Sequence, residues 1–466
     1  MKPGPAQTAA PIDRALVIAQ AVRERGGRAL IVGGWVRDRL LGRDSKDLDL
    51  EVFGVPHDEL PGLLAPYGRV EAVGQSFPVY KVGDIDVALP RRESKTKRGH
   101  KGFIVEGDPF MSIDEAARRR DFTINAIAWD PLTDEYLDPF GGRNDLKASI
   151  LRAVDPRTFT EDSLRVLRAL QFAARFELQI DEDTAAICRE TALDDLPPER
   201  IWGELEKLLL QASRPSIGFE LARTLGVIER LFPEMQALID CPQEPEWHPE
   251  GDVWVHTLMV IDRARQRIDD LERPDRVILM LGAVCHDFGK PTTTAFVEGR
   301  IRSLDHEERG VAPAATFLDR LNIQSIGGRD VRREVLALVA HHLKPGMLHK
   351  RRDQVSDAAF RRLALKVNLE LLARVAKADC LGRTGSFDCS AMDWFLERAR
   401  SLGVEHQPPA RLVLGRHLLE LGVTPGPHMG EMLSEIYERQ LDGVFRTTDE
   451  GIELAKELIT KKGGRR

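Results

Sequence analysis

Asp47 and Asp49 flank Leu48 thirteen residues beyond the Gly33-Gly34 pair. The stretch Leu30-Ile31-Val32-Gly33-Gly34-Trp35-Val36-Arg37-Asp38 reads as an apolar strand, a tight glycine turn and a short amphipathic helix. It leads to a second strand, Asp47-Leu48-Asp49-Leu50-Glu51-Val52. Alternate residues of a strand share a face, so Asp47 and Asp49 point the same way. Two carboxylates on one face repel each other unless a cation sits between them. An oxygen-only ligand set suits Mg²⁺, held partly by substrate phosphates, which points to nucleotidyl transfer. An isolated Asp-x-Asp is more often a solvated turn; the glycine pair and the apolar flanks raise this one above that background. Asp84-Ile85-Asp86-Val87 is a second short alternating run. Asp86 is the expected third carboxylate, on a neighbouring strand, and Asp84 shares its face.

Two further groups carry chemistry. Arg119-Arg120-Asp121-Phe122-Thr123-Ile124-Asn125 leads into an apolar strand. It would set guanidinium forks beside bound phosphates, with Asn125 near a ribose hydroxyl. Asp138-Pro139-Phe140-Gly141-Gly142 is a glycine turn that argues little by itself. In Thr160-Glu161-Asp162-Ser163-Leu164-Arg165, Thr160 is the expected helix cap, and Asp162 and Arg165 fall on one helix face. An arginine donor beside an aspartate acceptor complements the pairing edges of cytosine and adenine and mismatches uracil and guanine. Two side chains could thus select two nucleotides without a nucleic-acid template, because each unpaired buried polar group costs about 1–3 kcal/mol.

These residues need a frame. Residues ~25 to ~150 alternate short β-branched runs with turns, whereas from ~155 onward leucine and phenylalanine recur at helical spacing. Pro242 to Pro249 reads as a linker, and breaks fall near Gly382 to Ser390 and Thr424 to Pro427. The chain has 466 residues, room for two to four domains, and carries a net charge of −7. That total does not advertise a nucleic-acid binder, but residues 91 to 101 hold six Lys/Arg against one acid. Arg118 to Arg120 and Lys350 to Arg352 add two more basic clusters. No run approaches a membrane span, and Met1-Lys2-Pro3-Gly4-Pro5 lacks a signal-peptide apolar core. Five dispersed cysteines without a C-x-x-C pair suggest reduced thiols in the cytoplasm.

Gly33-Gly34, Asp47-x-Asp49, Arg119-Arg120-Asp121, Glu161-Asp162-x-x-Arg165 and Glu199-Arg200-Ile201 together resemble the class II tRNA nucleotidyltransferases, with their motifs in the family order. The resemblance implies an α/β nucleotidyltransferase palm followed by a mostly α-helical neck, body and tail. Asp47 and Asp49 would bind two metal ions, with Asp86 completing the catalytic acids. Gly33, Gly34, Arg37, Arg119, Arg120, Asp121, Asn125, Asp162, Arg165 and Arg168 would surround the nucleotide, with Asp162 and Arg165 as the amino-acid template. Residues 91 to 118 match the family's flexible loop. CTP, ATP and the acceptor stem and elbow of tRNA are the implied partners.

His256, the adjacent His286-Asp287 and the later Asp379 resemble the all-α HD-domain phosphohydrolases. The resemblance implies a divalent transition metal on these four residues, Lys290 near phosphate, and His306, His341 and His342 as ligands of a second ion. Phosphatase and 2′,3′-cyclic phosphodiesterase activity is expected by the same analogy. The division that follows is a palm over 1–150, a neck over 151–240, an HD domain over 241–385 and a tail over 386–466. A poly(A) polymerase or A-adding enzyme keeps the same Asp/Arg pair and stays open as an alternative. Nucleotide-signalling and uridylylating enzymes combine the same two modules, and an inactive RNA-binding protein is the non-enzyme option.

Overall fold

The computed structural model describes residues 10–45, 47–73, 78–95 and 103–463. The chain forms two compact units, Met1–Leu231 and Phe232–Arg466.

The first unit is built on a seven-stranded sheet. Its strands are β1 (Arg28–Val32), β2 (Leu48–Phe53), β3 (Val70–Val73), β4 (Val79–Val82) and β5 (Ile85–Ala88). After a separate hairpin of β6 (Arg91–Lys95) and β7 (Phe103–Gly107), β8 (Ala128–Asp130) and β9 (Glu135–Leu137) complete it. The order is β3-β4-β5-β2-β1-β8-β9, and only the β2–β5 pair is parallel. Leu48, Leu50 and Val52 are buried on one face of β2. Asp47, Asp49 and Glu51 therefore share the other face, as strand periodicity requires. Asp49 lies opposite Asp86 of β5, and neighbouring strands run only about 4.8 Å apart.

The 91–118 region, expected as one flexible loop, contains the β6–β7 hairpin and a helix over Ile113–Arg118 with a Ser112/Glu115 capping box. Its tip, residues 96–102, lies outside the described residues. Arg119 and Arg120 do not run into a strand. Arg119 ends that helix, and a 3₁₀ turn over Thr123–Asn125 intervenes before β8. The helix starting at Gly142 packs against this turn so closely that a Cβ there would stand 2.1 Å from the Thr123 carbonyl oxygen.

The helix over Leu164–Phe176 buries Val166, Leu167, Ala169, Leu170 and Ala173. Arg165, Arg168, Phe172 and Arg175 recur every three or four residues and so form one stripe along it. Thr160 does not cap this helix; it closes the short preceding helix, Pro156–Phe159. Ser163 stands at the N-cap without a side-chain cap bond, and Asp162 Oδ1 accepts from the Leu164 N–H at 3.1 Å. Asp162 thus precedes the helix that carries Arg165.

The second unit is almost entirely helical. Helices Val253–Arg265, Arg273–Cys285, Val331–His341 and Leu369–Leu381 pack on one another. Ile261, Leu281, Val335 and Leu372 are among their fully buried side chains. Two hairpins interrupt the helices: the exposed hairpin of Thr294–Val297 with Arg300–Ser303, and a shorter one of Ser325–Ile326 with Arg329–Asp330. The last helices, from Gly415 to Gly463, enclose a separate small core of Leu418, Met432, Ile436, Phe445 and Ala455. Cys380 and Cys389 form a disulfide, against the expectation of reduced thiols, while Cys188, Cys241 and Cys285 are free and buried. The loop 382–389 brings together two cysteines that sequence spacing left apart. Among the described residues, no helix is long and apolar enough to cross a membrane.

Candidate active sites

In the first unit a cleft of ≈ 470 Å³ gathers Gly33, Gly34, Arg37, Asp49, Arg119, Arg120, Asp121, Asn125, Asp162, Arg165 and Arg168. Arg91, Phe172, Arg175 and Arg200 line it as well. Gly33 takes φ +73°, and a Cβ there would approach Asp49 Oδ2 at 3.6 Å and Arg120 Nη1 at 3.4 Å. The missing side chain keeps backbone, carboxylate and guanidinium within reach of a single ligand.

Asp49 is pushed up to about 6: crowding by protein atoms raises it, Arg120 partly offsets this, and Asp86, Asp47 and Glu51 raise it further. A divalent cation would stabilise the ionised form of acids crowded in this way. Asp86 is gripped by Lys81, with Nζ at 2.8 and 3.0 Å from its two oxygens. Asp84, which shared its face in the sequence reading, sits in the β4–β5 turn and pairs with Arg14.

Glu51 is a residue the sequence reading passed over. Its buried carboxylate accepts from Arg119 Nη2 at 2.6 Å and Arg120 Nη2 at 3.3 Å. The signal was available, because Glu51 continues the Asp47, Asp49 alternation. Arg37, Asp121, Asn125 and Arg168 form a chain beneath the cleft. Arg168 Nε donates to Asp121 Oδ2 at 2.6 Å, Asn125 Nδ2 to Asp121 Oδ1 at 2.9 Å, and Arg37 Nη1 to Asn125 Oδ1 at 2.6 Å. Burial would raise Asp121, but Arg168 and the Asn125 bond hold it below the ordinary carboxylate range. Asn125 thus links Arg37 to Asp121 while lining the cleft, and these two bonds leave a second Nδ2 proton and a second Oδ1 lone pair. Burial lowers Arg37 despite Asp38 beside it.

Asp162 and Arg165 reach the cleft already anchored. Arg200 clasps Asp162 with both terminal nitrogens, at 3.1 and 2.9 Å. Arg165 donates to the carbonyl oxygens of Thr158 at 2.8 Å and Arg119 at 2.6 Å. A carboxylate has about four acceptor sites and a guanidinium five N–H donors, so each retains capacity for a base.

The second unit holds a separate centre. His286, His306 and His342 each direct Nδ1 at a backbone carbonyl three residues earlier, at 2.8, 2.7 and 2.8 Å. That contact requires the proton on Nδ1 and leaves Nε2 as a lone pair in the neutral ring. Burial, with His306 and His286 alongside, lowers His342 to about 3. Yet His306 Nε2 and His342 Nε2 face each other at 3.2 Å. Asp287 lies between the imidazoles, with Oδ2 3.2 Å from His286 Nε2 and Oδ1 3.4 Å from His306 Nε2. His286 Nε2 and Asp287 Oδ2 are buried without a hydrogen bond of proper geometry.

His256 adds its Nε2 3.1 Å from Asp379 Oδ1, while its Nδ1 contacts Glu250 at 2.8 Å. Burial opposes ionisation of Asp287 and Asp379, but His286 and Lys290 beside the first and His256 beside the second hold both well below the usual range. Confronted lone pairs, ionised acids and backbone-fixed tautomers are the donor set of a divalent metal centre. His256, His286, Asp287 and Asp379 come together as expected, joined by His306 and His342. His341 does not belong to the groups that could share an ion.

Sequence reasoning missed Gln243, His248 and Glu250, which sit in the stretch read as a linker. Glu250 Oε1 meets His248 at 2.9 Å as well as His256, and Gln243 Oε1 accepts from Lys290 Nζ at 2.6 Å. Lys290 also lies 2.7 Å from Asp287 Oδ2. Prolines marked the segment as irregular, and irregular backbone is where such walls are built.

Three family models match the chain: the poly A polymerase head domain over 29–152, the probable RNA and SrmB-binding site of polymerase A over 177–239, and the HD domain over 253–383. The Multifunctional CCA protein of Xanthomonas campestris pv. campestris (strain B100) is 37% identical over 422 residues, which are 87% of this chain and 95% of the relative. The chain belongs to the family of multifunctional CCA proteins, which are class II CCA-adding enzymes. A second member, from Nitrosococcus oceani, is 38% identical over 365 residues, covering 76% of this chain and 85% of its own. The fold matches the crystal structure of the Bacillus stearothermophilus CCA-adding enzyme in complex with CTP, with a TM-score of 0.65 at 21% identity, over 98% of this chain and 100% of that one. Family membership implies use of a divalent metal, and among the described residues the histidine–aspartate centre brings together groups that could share one.

Proposed function

We propose that this protein adds CCA to tRNA 3′ ends from CTP and ATP, without a nucleic-acid template, in the cleft of its first unit. The observation that carries this reading is a single cleft lined both by Asp49, whose partner across β5 is Asp86, and by the anchored Asp162/Arg165 pair. Asp47 and Asp49, beside Asp86, hold divalent ions, for which Mg²⁺ is the natural choice given ligands that are all oxygen. When bound, such ions acidify the tRNA 3′-hydroxyl and neutralise the leaving pyrophosphate.

The chain's own residues do the rest. Arg119 and Arg120, aimed by Glu51, meet the triphosphate. Asp162 and Arg165 read the base edge, and their anchors keep the donor–acceptor spacing fixed. The 3′-oxygen bonds to the α-phosphorus as the bond to pyrophosphate breaks. In the four-part division, the palm spans 1–150 and the neck 151–240, with the HD domain over 241–385 and the tail over 386–466. tRNA acceptor stem and elbow are met through shape and backbone, and this work belongs in the cytoplasm. The histidine–aspartate centre adds a metal-dependent phosphohydrolase activity on phosphate esters.

The test uses tRNAs ending in the discriminator base, in C and in CC, each with one nucleotide. CTP use on the first two and ATP use on the third is the expected result. Long A tails would assign the chain to the poly(A) polymerases, and no incorporation would overturn the reading.

A further inference from the structure

The histidine–aspartate cavity has a volume of ≈ 190 Å³. Whole small-molecule ligands of drug size fill pockets of about 300 Å³ or more. A cavity of this size suits a phosphate ester. Its cationic walls, Lys290 and Arg383, suit the phosphate. What lies at the rim then decides which ester is chosen.

Trp247 lines this cavity and is 49% exposed. It is the aromatic side chain, other than the histidines, that reaches the cavity. Ile301 and Ser303, from the exposed hairpin, line it too. They are two residues apart on one strand and so share a face. Their opposite partners are Phe296 and Thr294. Directly opposed residues of an antiparallel pair project to the same side, and the 2.7 Å contact between Thr294 Oγ1 and Ser303 Oγ bears this out. Phe296 therefore stands on the cavity side of the hairpin, farther out, and is 75% exposed. The segment carrying Trp247 is tied to that hairpin: Glu244 Oε2 accepts from the Ile301 N–H at 2.9 Å. A Trp and then a Phe, both solvated, lead away from a metal-ligand cluster flanked by two cations. Neither ring is needed by the core, and each offers a flat face to a base.

We propose that Trp247 and Phe296 form a base-stacking platform at the mouth of this cavity, which selects the 3′ end of single-stranded RNA over other phosphate esters. Trp247 takes the terminal base and Phe296 the one before it. The inference rests on the phosphohydrolase reading of the centre. For a terminal 2′,3′-cyclic phosphate, a water oxygen bonds to phosphorus, one ribose P–O bond breaks, and the released ribose oxygen keeps a proton from that water.

The full-length protein is tested with adenosine 2′,3′-cyclic phosphate, a dinucleotide ending in the same group, and glycerol 1,2-cyclic phosphate, which lacks a base. Trp247→Ala should raise KM for both nucleotides by about 5- to 100-fold with kcat nearly unchanged, and Trp247→Phe should restore most of it. Phe296→Ala should raise KM for the dinucleotide alone. Phe296→Ala should leave hydrolysis of the glycerol ester as it is, and Trp247→Ala should change it far less than it changes either nucleotide. Independently of turnover, an oligonucleotide with 4-thiouridine at its last two positions should photocrosslink to Trp247 and Phe296, as mapped by mass spectrometry. Equal effects on all three esters, or crosslinks confined to the first unit, overturn the platform. Absence of hydrolysis of every ester with any divalent ion, with crosslinks still on these two residues, overturns the phosphohydrolase reading instead.

Discussion

The two sites solve the problem of holding charge in opposite ways. The cleft of the first unit is open and arginine-rich, and its central acid, Asp49, is raised to about 6. The centre of the second unit is histidine-rich with buried ligands, and its acids, Asp287 and Asp379, are held well below the ordinary range. In the first, the guanidinium groups are parked on Glu51, Asp121 and backbone carbonyls, ready to share themselves with a ligand. In the second, backbone carbonyls fix three imidazole tautomers before any ligand arrives. A site that reads two successive nucleotides needs adjustable partners; buried ligands that serve a single group favour preorganisation.

The sharpest way to break this comparison is to remove the acids of the open site. Asp49→Ala should cost several kcal/mol of transition-state stabilisation, about 10³-fold in nucleotide incorporation, while leaving phosphate-ester hydrolysis intact. Loss of both activities in a folded variant would show that the sites are not separable. Next in size, Glu250→Gln should weaken metal binding at the histidine–aspartate centre about 10- to 100-fold, measured by metal titration, without changing CCA addition.

Asp162→Ala should lower discrimination against UTP and GTP by roughly 5- to 150-fold, the worth of one buried mismatch, more than it changes the metal requirement. Retained strict C and A selection would remove Asp162 from the template. Arg200→Ala leaves Asp162 in place but unanchored, and should blur selection less than deletion of the carboxylate.

The smallest effect is in pH. Asp49 must shed its proton to take a cation, so the metal concentration for half-maximal incorporation should rise about fourfold at pH 5.5 relative to pH 7.5. The linkage signs differ between the sites. Asp49 titrates above its unfolded value, so its contribution to metal-free stability is present below about pH 4 and lost as pH rises through about 6. Asp287 and Asp379 titrate below theirs, so their contribution is present above the ordinary carboxylate range and lost on acidification. Thermal unfolding in chelator against pH, with Asp49→Asn and Asp379→Asn variants, separates the two.

Alternation in Asp47-Leu48-Asp49-Leu50-Glu51 and the three- and seven-residue spacing of Arg165, Arg168 and Arg175 dictate which faces carry charge. Those periods are properties of strand and helix themselves, so the acidic face of β2 and the arginine stripe were legible in the sequence. The His-Asp dyad and its distant partners were likewise readable as a metal-type set. Partner choice was not. That Asp84 turns to Arg14 while Asp86 turns to Lys81, that Arg200 clasps Asp162, and that His342 enters the centre while His341 does not, all depend on where separate elements meet. The strand register that sets Asp49 against Asp86, the loop that joins Cys380 to Cys389, and the folding of a proline-rich segment into a cavity wall are decided over long range. Local sequence fixes the direction of a side chain relative to its own backbone; only packing between elements fixes what it faces.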